Sequence, residues 1–133
     1  RRVAIFDLLE NNYFAPKSSI SGDYLGPYNI LIRMADNRLA IDLYTETNNM
    51  LSTVVVPLSP LRAIIKEYFL ICDNYYTAIK KASTRRIEAI DLGRRSLHDE
   101  GAEILRSRVM DKIDIDFNTA RRLFTLICIM QIR

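Results

Sequence analysis

One histidine, two adjacent arginines and a nearby aspartate are the residues of this sequence best placed to do chemistry. Asp91, Arg94, Arg95 and His98 fall within eight consecutive positions, and His98 is the only imidazole in the chain. On a helix, Asp91 precedes Arg94 by three and His98 by seven, so these side chains share one side. Such a face makes an anion site, because guanidinium forks grip a carboxylate or phosphate through paired, charge-assisted hydrogen bonds. A structural reading uses the same residues: Asp91 pairs with Arg95 along the helix, Arg94 meets an acid from another element, and His98 hydrogen-bonds at the edge of the core. A third reading is an enzyme of unknown reaction, with His98 as general acid or base assisted by Asp91 or Glu100. The stretch stands out because Arg94 shares an apolar helical stripe with Ile87, Ile90, Leu97, Ile104 and Leu105, with Gly101 on the same side. A charge on such a stripe is costly to bury unless it is paired.

Other chemistries find no support. His98-Asp99-Glu100 matches the His-x-Glu of zinc deaminases but lacks the Pro-Cys-x-x-Cys partner. Arg95 stands where a di-iron helix needs Glu three residues before His98. No Gly-x-Ser-x-Gly elbow or phosphate-cradling glycine loop is present. No metal and no cofactor are expected. Asp114 and Asp116 read as a loop residue and a helix cap. Lys80-Lys81 and Arg85-Arg86, straddling Ser83-Thr84, form a basic corner that is either a phosphate-holding helix start or a solvated turn. Tyr68, Tyr75 and Tyr76 sit at helical spacing as core or interface anchors.

Composition sets the frame. The chain has 133 residues, 49% hydrophobic and 26% charged, which fits one ordinary globular domain over 1–133. Net charge is +3 and evenly spread, with seven Lys/Arg against six Asp/Glu in residues 1–66 and twelve against ten in 67–133. That is no footprint for nucleic acid. Cys72 and Cys128 share no short spacing and read as small buried hydrophobes, a disulfide between them being the alternative. No apolar run reaches membrane-spanning length and no signal peptide is visible, so no membrane contact is expected and the chain reads as cytoplasmic.

The elements that must position the candidate site are legible in order. Arg2 to Glu10 reads as a short helix with Val3, Phe6, Leu9 and Ile5 on its apolar side. Residues 13–27, rich in Pro, Gly and Ser, read as a long loop with one extended piece near Tyr13-Phe14-Ala15, able to cover a site. From Tyr28 to Val56 the period is two, with turns at Asp36-Asn37 and Thr47-Asn48-Asn49, which predicts a three-stranded antiparallel meander with one apolar face. Residues 60–132 form a helical block. Ser59 caps a helix opened by Pro60, with Leu61, Ile64, Ile65, Tyr68, Cys72, Tyr75 and Ile79 as its stripe. Ser83 or Thr84 caps the helix carrying the candidate site, which runs to Asp111 or Lys112. Residues 113–116 link it to a last helix, capped by Asp116 and apolar in nearly every direction. That helix is either buried inside the domain or a partner surface, and self-association as a two-fold dimer is expected through it. Segregated strands and helices give an α+β fold.

Several runs also resemble a known family. Val3-Ala4-Ile5-Phe6-Asp7-Leu8-Leu9-Glu10, Gly26-Pro27-Tyr28, Lys66-Glu67-Tyr68-Phe69 and Ile71-Cys72 carry the likeness. So do Ile87 to Gly101, Ile113 to Phe117, and Thr119 to Cys128. Together they resemble an uncharacterised family of small alphaproteobacterial proteins of unknown function, which usually begins with a short segment not present here. The resemblance implies a bacterial, cytoplasmic protein and carries over no catalytic or binding residue. The expected function is therefore non-enzymatic binding of a partner protein or a small anion held by Asp91, Arg94, Arg95 and His98.

Overall fold

A computed structural model describes residues 2–131. The order of elements is α1 (Arg2–Glu10), β1 (Phe14–Pro16), α2 (Ser18–Ser21), β2 (Asn29–Ala35), β3 (Arg38–Tyr44) and β4 (Met50–Pro57). There follow α3 (Ser59–Lys81), α4 (Thr84–Val109), β5 (Ile113–Ile115) and α5 (Phe117–Gln131). The fold is α+β, as the segregation of periods predicts.

The meander forms in the order β2-β3-β4, antiparallel throughout. Its first turn follows from two residue types. Asp36 and Asn37 both adopt positive φ, at 48° and 66°, as the favoured two-residue hairpin turn requires and as Asp and Asn tolerate best after glycine. Register then pairs Ile32 with Ile41 and Ile41 with Val54, so one face presents Leu39, Ile41, Leu43, Val54 and Val56 to the core. The opposite face is less wet than the alternation implies. Asp42, read as an outward residue, is buried at 4% exposure, because Arg33 and Thr53 from the neighbouring strands close over it.

The helices cover the inner face. α3 buries Leu61, Ile64, Ile65 and Ala78, whereas Ile79, placed on the stripe by its spacing, is largely exposed. Ser59 lies inside α3 rather than capping it. Leu58 holds the cap position without a side-chain hydrogen bond, and Pro60 sits in the first turn. Ser83 does cap α4, accepting from the Arg86 amide at 3.3 Å. α4 ends at Val109, two or three residues short of the expected end, and a turn leads into β5. Asp116 caps α5 through the Thr119 amide at 2.8 Å, and hydrogen bonding from the Thr119 hydroxyl, then from that amide, holds its carboxyl below the ordinary range.

The short strands bring one correction and one agreement. Residues 113–116, read as a link, contain β5, whereas the extended piece expected near Tyr13-Phe14-Ala15 is β1, followed in the same loop by the single turn α2. β1 and β5 form a separate antiparallel pair, Phe14 opposite Ile115 and Pro16 opposite Ile113. Its two isoleucines, each 1% exposed, complete the core beneath α5. α1 rests on α5 and turns Leu8 inward, leaving Phe6 and Leu9 exposed. Val3 and position 132 fall outside the described side chains. The buried residues of α5, among them Leu123, Phe124 and Ile127, are covered within this chain. Cys128 is buried and Cys72 half-buried, both as free thiols. Burial pushes the Cys128 thiol up to about 12, the inert behaviour of a small core hydrophobe. Among the described residues no helix is long and apolar enough to cross a membrane.

Candidate functional site

α4 and α5 meet where α4 has no side chain. A methyl group placed on Gly101 would lie 2.3 Å from the Phe124 ring, and Phe124 is fully buried. Glycine is needed there so that the ring can lie against the helix backbone. On the other side of α4 a methyl on Gly93 would lie 2.8 Å from the tip of the Ile71 side chain of α3, a contact that a side-chain shift can relieve. The Gly101–Phe124 contact therefore clamps α4 to α5, and Arg94, Arg95 and His98 face the junction with α3.

That junction holds an open cleft of about 410 Å³, lined by Arg94, Arg95 and His98 of α4, Tyr68 of α3, and Asn118, Arg121, Arg122 and Thr125 of α5. Three of the four residues singled out from the sequence line it. The fourth, Asp91, holds two of them. Arg94 donates to Asp91 Oδ1 from Nε at 3.1 Å and from an Nη at 2.7 Å, and Arg95 reaches Oδ2 at 3.0 Å. The expected acid from another element does not meet Arg94. Its carboxylate is one turn away on its own helix, and its guanidinium lies over the Tyr75 ring, 5.7 Å from the centroid. The hydrogen bonds from Arg94 hold the Asp91 carboxyl below the ordinary range and raise Arg94 in turn.

His98 is buried at 8% exposure. Its Nε2 lies 2.6 Å from Thr125 Oγ1, and the Thr125 hydroxyl donates onward to the Arg121 carbonyl at 3.1 Å. Thr125 has one proton to give, so Nε2 carries the hydrogen and donates to it, which leaves Nδ1 as the bare nitrogen. Tyr68 and Phe124 flank the ring at 5.5 and 5.3 Å. Burial, and then the Arg121 charge, depress the imidazole below its ordinary value, so it is neutral at pH 7. Neither Asp91 nor Glu100 hydrogen-bonds to it.

α5 supplies the wall that residue types alone did not reveal. Arg121 Nε and Asp99 Oδ1 form an ion pair at 3.1 Å without hydrogen-bond alignment, and His98 Nδ1 is buried with no hydrogen-bond partner. Arg122 donates to the Asn11 carbonyl. The signal for this wall was present in the chain: Asn118, Arg121, Arg122 and Thr125 stand at i, i+3, i+4 and i+7, a polar stripe on an otherwise apolar helix. Four guanidiniums therefore converge on one cleft with only Asp91 and Asp99 paired to them, which leaves two positive charges uncompensated by those acids.

Lys80, Lys81, Arg85 and Arg86 are exposed at the α3–α4 turn and do not line the cleft. Among the described residues no group of three or more His, Cys, Asp or Glu is placed to hold a metal ion.

Comparison with known proteins reaches the whole length of this chain. The profile of an uncharacterised protein family, UPF0262, matches residues 1–133. The chain belongs to the UPF0262 family. A UPF0262 protein of Paramagnetospirillum magneticum is 53% identical over 133 residues, 100% of this chain and 82% of that protein. One of Rhizobium etli is 50% identical over 98% of this chain and 80% of its own length, and one of Sphingopyxis alaskensis is 47% identical over 100% and 81%. No solved structure is significantly similar. UPF0262 has no established activity, so the site is read from its own chemistry.

Proposed function

We propose that this UPF0262 protein is a non-catalytic binding domain whose ligand is a small dianion of the phosphate-monoester class, held between α4 and α5. One observation carries the reading: four guanidiniums and a neutral, buried imidazole line a single cleft, and only two carboxylates pair with the guanidiniums. Set against the two carboxylates paired directly with them, the four guanidiniums leave a surplus of two, the charge of a phosphate monoester at neutral pH, with Asp116 acting on Arg122 from outside the cleft. Planar guanidiniums from two helices suit tetrahedral oxygens, which accept from several directions. Arg95 and Arg122 are the gripping residues: Arg94 is fixed by two hydrogen bonds to Asp91 and by Tyr75, whereas Arg95 makes one contact with Asp91 and Arg122 one with the Asn11 carbonyl.

The test is calorimetric titration with inorganic phosphate, sulfate, a sugar phosphate and a dicarboxylate at one ionic strength. The expected result is saturable binding of the tetrahedral dianions, weakened by about tenfold or more in Arg122→Gln and in Arg95→Gln, the worth of one charge-assisted hydrogen bond. Equal binding to wild type and to both variants would remove the cleft from consideration.

A further inference from the structure

Arg121 Nε and Asp99 Oδ1 face each other at 3.1 Å as an ion pair, which leaves His98 Nδ1 as the buried side-chain polar atom, among the described residues, with no partner of either kind. A buried polar atom without a partner is rare and calls for an explanation. This one belongs to a ring that lines a cleft rich in guanidiniums. The His98–Thr125–Arg121 carbonyl chain fixes the imidazole with its bare nitrogen in a site that offers it no donor.

Resting on the anion-binding reading above, we propose that dianion binding in this cleft is coupled to uptake of one proton by His98 at Nδ1, so that acid tightens the ligand. The groups facing His98 decide the sign. From α3 it meets the Tyr68 ring, which carries no charge at neutral pH. From its own helix it meets Arg94, which opposes a proton, and Asp99, which favours one. From α5 it meets the Phe124 ring, the Thr125 hydroxyl and Arg121, whose charge also opposes protonation. Without a ligand, burial and the two arginines win, and the imidazole is neutral. A dianion gripped by the arginines offsets their field at His98, and that change favours the imidazolium. By linkage, whatever raises the proton affinity of His98 is itself bound more tightly when His98 is protonated. The affinity therefore rises as pH falls through the bound-state pKa and levels off below the free-state pKa. Asp91 stays ionised across this window, being held below its ordinary range by Arg94.

The single histidine of the chain makes the test direct. The His98 Cε1 proton of untagged protein is followed by NMR from pH 5 to 8.5, without sulfate and with saturating sulfate. Sulfate is chosen because its charge does not change in this range, unlike the second ionisation of a phosphate monoester near about 6. The expected result is a free-state midpoint below the ordinary 6.5 that moves upward when sulfate binds. Calorimetry in two buffers of different ionisation enthalpy should show net proton uptake, and the sulfate affinity of His98→Asn should cease to rise on acidification. A His98 midpoint unmoved by saturating sulfate, with binding still sensitive to Arg122→Gln, overturns the coupling while leaving the anion site standing. Absence of any saturable, Arg122-dependent sulfate binding overturns both.

Discussion

Two arginine–aspartate clusters in this molecule look alike in sequence and are built for different ends. On the sheet, Arg33 grips Asp42 with Nε at 2.7 Å and an Nη at 3.1 Å, and Thr53 adds a third donor at 2.6 Å. One cation meets one anion, and none of their side-chain polar atoms is left buried and unpartnered. In the cleft, four guanidiniums share two carboxylates, one pair lies within ion-pair distance without a hydrogen bond, and His98 Nδ1 lacks a partner. The sheet cluster is closed on itself and stabilises pairing of β2, β3 and β4. The cleft cluster carries more cations than directly paired acids. The two clusters therefore differ in charge balance and not in the residue types involved.

The comparison can be broken most forcefully at Gly101. Gly101→Ala drives a methyl into the buried Phe124 ring, and the overpacking should cost about 2 kcal/mol net of the helix preference for alanine. Chemical denaturation checks the loss, and Phe124→Leu in the same chain should recover part of it. Because the same contact sets the approach of α4 to α5, Gly101→Ala should also weaken sulfate binding. Intact binding would show that the cleft does not depend on the clamp. A smaller effect is expected on the sheet. Thr53→Val removes one donor to Asp42 and should cost about 1 kcal/mol, with sulfate affinity unchanged in titration.

The smallest effect separates the clusters by pH. His98 takes a proton less readily folded than unfolded, so stability without ligand is full above the ordinary 6.5, declines as pH falls below it, and stops declining at the folded value. Asp42 is the opposite case, held low by the hydrogen bond from Arg33. Its stabilisation is present above the ordinary 3.8 and is lost as pH falls toward the folded value. Denaturation midpoints should therefore fall in two separate windows. His98→Asn should flatten only the upper one; a variant that retains both declines would remove His98 from the account.

Much of this architecture is legible in the chain. Period-two alternation from Tyr28 and the Asp36-Asn37 turn give the meander, and Ser83 and Asp116 mark where α4 and α5 begin. Helical spacing alone puts Arg94, Arg95 and His98 near one another. What local pattern cannot supply is the neighbour. Arg121 and Arg122 belong to the same cleft across a gap of more than twenty residues, and only the packing of Gly101 on Phe124 brings them there. The strands of three residues at Phe14 and Ile113 are too short to show a period, so their pairing is invisible until the chain is folded. Burial of Asp42 likewise depends on Arg33 and Thr53 arriving from adjacent strands.

That pairing of β1 with β5 bears on the order of events in folding. The Tyr13 amide donates to Thr119 Oγ1 and Arg122 donates to the Asn11 carbonyl, links between positions 106 and 111 residues apart. The α3–α4 hairpin closes from neighbouring residues, but the wall bearing Arg121 and Arg122 is set only when these distant stretches have met, and contacts of such separation form slowly. A partly folded chain carries the arginines of α4 without their counterparts. The complete arginine-lined cleft thus arrives only with the last long-range contacts.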